Sequence, residues 1–403
     1  MANASARVVG LTGVGHAASH AWELVFPAVA IPLARDFGVT FEEAVALAWP
    51  LYLLFGFGAP VAGWASDRYG ARRVLLACLI GGGFSGIAVA ASTSTTTLVA
   101  SLAALGFFAS LYHPSGLALL SVWFEGKIGR AFAINGIAGN VGIAGTPIVA
   151  GIVASLWGWR AAYVVFCAPV LVVGLVFALL PFERRERDDD ADPGAPVASG
   201  VSNDWRPLVG MAVAVTVGGL VYRLHTLVMP ALIAERIPFL VTWTRALGLE
   251  NVENVDNLAA TALVSAAYAM GIFGQWWGGK IADRYRLVSA YFAFHLAALP
   301  LLLGAAWFAG WPLLLCLFFY IFFGIGMQPI ENSLVAWLSP SKWRGRAYAG
   351  KFVLGFGVGS IGTYVVGWVA PYGGLGAALF VAVALEVVLL AAVVYVSRRT
   401  AES

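Results

Sequence analysis

Apolar residues run along this chain in long blocks, interrupted by short clusters of charge, Gly and Pro. Twelve blocks stand out, near 9–34, 44–64, 74–92, 97–121, 131–155, 161–181, 207–233, 259–279, 287–308, 311–338, 347–370 and 374–397. Most approach or exceed the roughly 20 residues a helix needs to cross a hydrocarbon layer. Lipid offers no partner to a backbone N–H or C=O, so each block must bond internally, as a helix. The pattern predicts an all-α integral membrane protein with twelve transmembrane spans, numbered in chain order. The first block carries His and Glu, a poor core for a signal peptide, and is expected to be an uncleaved span.

Composition agrees. Of 403 residues, 60% are apolar and 11% charged, against about 25% charged in soluble chains. The net charge of +3 says little; its distribution says more. Loops expected on the cytoplasmic side hold Arg68, Arg72, Arg73, Lys127, Arg130, Arg184, Arg185, Arg187, Arg206, Lys280, Arg284, Arg286, Lys342, Arg344 and Arg346, and the tails add Arg7, Arg398 and Arg399. The opposite loops hold Arg35, Arg160, Arg236 and Arg245. Cytoplasmic loops are enriched in Lys and Arg, so both termini are placed in the cytoplasm and the chain in a plasma or inner membrane. The polar stretch 182–206 reads as a cytoplasmic linker between bundles at 1–181 and 207–403. The longest external loop, 235–258, has room for a short surface helix. Cys78, Cys167 and Cys316 lie apart in apolar runs and read as small core residues.

Two motifs recur. Asp67-Arg68-Tyr-Gly-Ala-Arg72-Arg73 after span 2 returns as Asp283-Arg284-Tyr-Arg286 after span 8, an offset of 283 − 67 = 216. Gly129-Arg130-Ala131-Phe132-Ala133 returns as Gly345-Arg346-Ala347-Tyr348-Ala349, again 346 − 130 = 216. One offset for two motif pairs argues for duplication of a six-span unit, a known transporter plan. The Gly-x-x-x-Asp-Arg-x-Gly-x-Arg-Arg run at 63–73, its copy at 279–286 and Gly-Trp-Arg-Ala-Ala-Tyr at 158–163 resemble the major facilitator superfamily over the whole chain. His16, Tyr112-His113-Pro114-Ser115 and Gly139-Asn140-Val141-Gly142 more narrowly resemble the fosmidomycin-resistance branch of drug exporters. Ser115 stands where that branch has an acid, and His20 and Glu23 where it tends to have other polar residues.

The resemblance implies two pseudo-symmetric six-helix bundles, with spans 1, 4, 7 and 10 lining a central cavity. It also implies a gating latch. Asp67, with Arg68 and Arg72, would meet the positive start of span 11 near Arg346, since a helix N-terminus carries roughly +0.5 charge. Asp283 and Arg284 would meet the start of span 5 near Arg130. The positive-inside rule explains these Arg residues equally well, but not the Asp. Glycines at 136, 139, 142, 145 and 151 in span 5, and at 350, 355, 357, 359, 362 and 367 in span 11, permit close helix contact. Those faces are expected to pack between the halves.

An ionisable group at mid-bilayer costs about 3 kcal/mol and needs a reason. His16, His20 and Glu23 (span 1), His113 (span 4), Arg223 and His225 (span 7) and Gln328, Glu331 and Asn332 (span 10) all fall on the spans that the resemblance places at the cavity. His16, His20 and Glu23, spaced i, i+4, i+7, share a stripe. A proton or substrate site, structural hydrogen bonding and a metal-ligand set are three readings of it. Arg223 keeps its charge and calls for Glu23, Glu331 or a substrate carboxylate or phosphonate as partner. His225 lies about 200° around a regular helix from Arg223. Gln328 and Glu331 are expected to form one polar face. Glu331 or Glu23 is the expected carboxylate that alternates between a proton and a cation. His295 and Glu386, on spans that are usually peripheral, read as structural.

No phosphate-binding Gly-x-x-x-x-Gly-Lys-Ser/Thr loop is present, which argues against an ATP-driven pump. The expected function is secondary, proton-coupled transport of a small polar or anionic organic solute by alternating access, with export favoured. Uptake of a small carboxylate, and transport of a transition metal or chelate through the His/Glu residues, are alternatives. A membrane enzyme or static receptor fits the loop motifs poorly. No resident cofactor and no nucleic-acid partner are expected; the partners are solute, protons and lipid, and the chain is expected to be a monomer.

Overall fold

The computed structural model describes residues 2–124, 128–180, 205–237, 239–246, 248, 255–340 and 344–401. The linker expected at 182–206 lies outside them up to residue 204, as does the Arg130 side chain. Among the described residues the regular structure is entirely helical.

Two compact units divide the chain, Met1–Ala195 and Pro196–Ser403. In the first, α1 (Ala2–Phe37) is followed by α2 (Phe41–Leu47), α3 (Trp49–Phe57), α4 (Ala59–Tyr69), α5 (Ala71–Ala90), α6 (Thr95–Ser110), α7 (Tyr112–Trp123), α8 (Ile128–Trp157) and α9 (Trp159–Leu179). The second holds α10 (Arg206–Arg236), α11 (Phe239–Ala246), α12 (Val255–Arg284), α13 (Leu287–Trp307), α14 (Gly310–Gly326), α15 (Gln328–Leu338), α16 (Arg344–Phe352) and α17 (Gly362–Ala401). A π-helical turn at Val353–Gly357 and a 3₁₀ turn at Val358–Ile361 join α16 to α17.

Local chemistry sets the breaks. Thr40 and Ser94 cap α2 and α6 through reciprocal capping boxes with Glu43 and Thr97, satisfying N–H groups left bare at a helix start. Gly70 (φ 87°) and Gly158 (φ 82°) make the tight turns into α5 and α9, a backbone region that side chains disfavour.

Among the described residues ten helices are long and apolar enough to cross a membrane, and counting the bent pair Phe41–Phe57 and Ala59–Tyr69 as one span gives eleven. The stretch Arg346–Thr400 has 55 residues. At 1.5 Å per residue that is about 80 Å, far beyond a hydrocarbon core of about 30 Å. It is broken inside α17 at Gly374 (φ 68°), and each part is long enough to cross by itself. Exposed Trp157, Leu179, Trp276 and Trp368 would be liabilities in water and suit contact with lipid.

Spans 4 and 10 are each broken. Leu111 separates α6 from α7, and Met327 separates α14 from α15. Their separation, 327 − 111, is again 216. Pro114 and Pro329 follow the breaks; each lacks an N–H and crowds the carbonyl four residues back. The offset differs in the opening spans. Leu24-Val25-Phe26-Pro27-Ala28 of α1 matches Leu227-Val228-Met229-Pro230-Ala231 of α10, with 230 − 27 = 203. The 13 extra residues (216 − 203) therefore enter between α10 and α12, where α11 lies. The short helix in the 235–258 loop is thus an insertion in the second unit, seated by Phe239 stacking on Trp311 at 4.6 Å.

Several glycines of spans 5 and 11 make close contacts inside their own units. A Cβ on Gly142 would strike the Ala17 carbonyl, and one on Gly139 would lie 2.6 Å from the His16 ring. These glycines let α1 approach α8 within the first unit. Gly359 and Gly219 meet backbone to backbone, at 2.8 Å from a Cβ on Gly359, and Gly362 meets the Arg223 stem at 3.0 Å. These hold α10 against the span-11 segment within the second unit. The reason is geometric: a missing side chain serves whichever helix of the same unit lies nearest, even when that helix is four spans away in the chain.

Candidate functional site

In the first unit a polar cluster forms where α1, α7 and α8 meet. His16 Nδ1 lies 2.8 Å from the backbone carbonyl of Asn135. The Asn135 amide nitrogen lies 3.2 Å from the same Nδ1, but a carbonyl only accepts, so the tautomer that satisfies it puts the proton on Nδ1 and the lone pair on His16 Nε2. His20 Nε2 lies 3.2 Å from it and donates. Tyr112 stacks on His16 with centroids 4.9 Å apart, and its hydroxyl donates to Asn135 Oδ1 at 2.8 Å. The break at Leu111 carries His113 inward, edge-on to His16 at 5.3 Å and to His20 at 5.4 Å. One ring nitrogen each from His16, His20 and His113 lies within 4.8 Å of the others. All three imidazoles are half-buried.

Glu23 is buried, with Oε2 3.9 Å from His20 Nδ1, on the far side of that ring from His16. Of the four residues in the metal-ligand reading, His16, His20 and His113 converge, and Glu23 stands behind His20. Periodicity on one helix does not reveal a side chain delivered by a break in another.

In the second unit, Lys351 Nζ lies 2.7 Å from Glu331 Oε1 and donates to Asn332 Oδ1 at 2.6 Å. The Tyr291 hydroxyl donates to Glu331 Oε2 at 2.6 Å. Tyr291 also packs on His295 at 4.5 Å between centroids, and His295 Nδ1 is 2.6 Å from Glu386 Oε1. The cation beside Glu331 is Lys351; Glu331 was one of three anions that the sequence offered to Arg223. Gln328 accepts from Gln275 of α12 at 2.8 Å, so it and Glu331 bond to different helices. Glu386, unexplained by sequence, has His295 as its partner.

Arg223 and His225 diverge, as their angular separation implies. Arg223 is buried with its stem against Gly362 and its guanidinium 5.7 Å from the Tyr222 ring centroid. His225 is buried against α14, with Nδ1 3.1 Å from the Tyr320 hydroxyl.

The loop residues separate by role. Asp67, Arg68, Asp283, Arg284 and Arg346 are exposed. Arg72, grouped with the latch by sequence, instead donates to the carbonyls of Phe177 (2.7 Å) and Leu180 (3.2 Å). It caps the end of α9 within its own unit, where a cation suits the negative helix terminus. Two Arg residues on the cation-poor side are pinned likewise. Arg160 pairs with Asp36 and donates to the Ser92 carbonyl at 2.9 Å; Arg236 donates to the Ala306 carbonyl at 2.8 Å.

Sequence reasoning missed Lys351, Tyr291 and Asn135. The repeat held a signal for two of them. Extending the Gly-Arg-Ala-x-Ala motif by two residues reaches Asn135 in one copy and Lys351 in the other, since 351 − 135 = 216. Both hold the polar residues of their unit, His16 in one and Glu331 in the other.

Comparison with known proteins places the whole arrangement. A multidrug resistance protein B homolog from Mycobacterium tuberculosis is 29% identical over 182 residues, 44% of this chain and 33% of that protein. A tetracenomycin C resistance and export protein from Streptomyces glaucescens is 36% identical over 132 residues, 31% of this chain and 24% of that one. The match thus spans a third or less of the length of these relatives. The crystal structure of the peptide transporter POT in complex with sulfate has the same fold, with TM-score 0.73 over 97% of this chain and 95% of that one at 13% identity. Residues 12–362 match the pattern of the Major Facilitator Superfamily, and this chain belongs to that superfamily of multi-pass membrane proteins.

Proposed function

We propose that the chain is a proton-coupled exporter of a small organic solute, working by alternating access, with Glu331 and Lys351 as the coupling pair. The observation that carries this reading is the 2.7 Å contact between the two. A carboxylate among apolar helices is held ionised by a neighbouring cation, and protonation releases that cation. Lys351 and Tyr291 are the titratable groups that touch Glu331, with the His295–Glu386 pair behind Tyr291. A proton taken up on Glu331 would free Lys351 to turn toward an anionic or polar part of the solute.

Export is supported by what the relatives are named for, antibiotic and multidrug resistance. The narrower likeness to the fosmidomycin-resistance branch rests on His16, His113-Pro114 and Gly139-Asn140, with Ser115 as its chief departure. The same proposal puts both termini and residues 182–206 in the cytoplasm of a plasma or inner membrane, on the Lys/Arg bias. It retains Asp67 and Asp283 as latch residues, supported by their exposure beside cations at helix ends. Arg223, His225 and Gln328 are proposed to shape the cavity wall of the second unit, in a chain that acts as a monomer.

The test is proton flux in proteoliposomes. Solutes of the antibiotic and organic-anion classes, applied against a pH gradient, should drive proton movement in wild type and not in Glu331→Gln. Full coupling in Glu331→Gln would reject the assignment.

A further inference from the structure

We propose that His16, His20 and His113 form a binding site for a divalent transition metal ion of the Zn²⁺ class within the first unit. Four-coordinate zinc holds nitrogen at about 2.0–2.1 Å, which sets neighbouring ligand nitrogens roughly 3.3 Å apart. His16 Nε2 and His20 Nε2 are already 3.2 Å apart, and the His113 nitrogen lies within 4.8 Å of both. Three imidazoles favour Zn²⁺, Cu²⁺ or Ni²⁺ over Mg²⁺ or Ca²⁺, which want oxygen.

The surroundings fit the same chemistry. A ligating imidazole usually donates its other N–H to a carbonyl or carboxylate, which sets tautomer and orientation. The Asn135 carbonyl does this for His16, which keeps on Nε2 the lone pair that His20 now occupies and that a metal would take. For His20 the group in place is Glu23, with Oε2 3.9 Å from Nδ1. Binding requires the His20 proton to move from Nε2 to Nδ1, the nitrogen that faces the Glu23 carboxylate at 3.9 Å. Gly139 leaves the space in which the His16 ring sits, and Tyr112 fixes it by stacking. The three residues are neither fully buried nor fully exposed. A hydrogen-bond chain accounts for His16 and His20, but does not require a third imidazole at the same point. The site does not rest on the Glu331–Lys351 coupling pair.

The test uses the full chain, purified in detergent, freed of any His-tag and stripped with chelator. Co²⁺ titration should give a saturable visible absorption of tetrahedral type at one ion per chain, displaced by Zn²⁺. His20→Phe and His113→Phe should each weaken binding at least about 10-fold, and Glu23→Gln by about 10- to 100-fold. Glu331→Gln should bind like wild type, which separates this site from the coupling pair. A readout without variants is carbethoxylation of wild type followed by peptide mass spectrometry: Zn²⁺ should shield His16, His20 and His113. Absence of one-to-one Co²⁺ binding, or equal modification of the three histidines with and without Zn²⁺, overturns the proposal.

Discussion

Lys351 and Glu331 meet at 2.7 Å, from helices α16 and α15, with side chains 17% and 7% exposed. Removing one member of a buried pair strands the other, at a cost of about 3–5 kcal/mol, whereas removing both can be nearly neutral. Lys351→Met should therefore lower the melting temperature of the purified protein clearly, and Glu331→Gln/Lys351→Met should recover most of it. Both variants should lose proton-coupled transport. A double variant that melts as low as Lys351→Met would show that the pair is not the unit that matters for stability.

His295 and Glu386 make a second close pair at 2.6 Å, with side chains 6% and 2% exposed. Its reading is structural, so the expectation is the reverse. His295→Phe/Glu386→Leu should fold with a melting temperature near wild type and transport at near wild-type rate per folded molecule. Loss of transport in that stable double variant would move the pair into the transport machinery.

Glycines of α8 allow a graded test. A Cβ at Gly142 meets the Ala17 backbone, while one at Gly136 or Gly145 meets nothing within 4 Å. Gly142→Val should destabilise by several kcal/mol through overpacking, and Gly136→Val and Gly145→Val should melt within a few degrees of wild type. Equal melting of all three would argue that α1 and α8 are not closely packed at Ala17.

Arg72 and Asp67, five residues apart, should separate stability from transport. Arg72→Ala removes two bonds to the end of α9, each worth about 1.5 kcal/mol or more for a charged donor, and should lower the melting temperature. Asp67→Asn, at an exposed position, should leave melting unchanged and cut transport sharply. Unchanged transport in Asp67→Asn would remove the latch from the mechanism.

The covalent order of residues was enough to place the spans, because an apolar run of about 20 residues has only the helix as a solution in lipid. It was enough for the duplication too, since a constant 216-residue offset is a property of the order itself. Partnership was beyond it. The helical stripe of His16, His20 and Glu23 is visible on one helix, but His113 joins it only because the break at Leu111 and the absence of a side chain at Gly139 let α1, α7 and α8 converge. Lys351 lay unremarked at the start of an apolar run, and Glu386 had no evident neighbour, until helices far apart in the chain were set side by side. Charges buried in a low-dielectric interior are decided by what stands within about 4 Å of them, and no local rule of spacing supplies that neighbour.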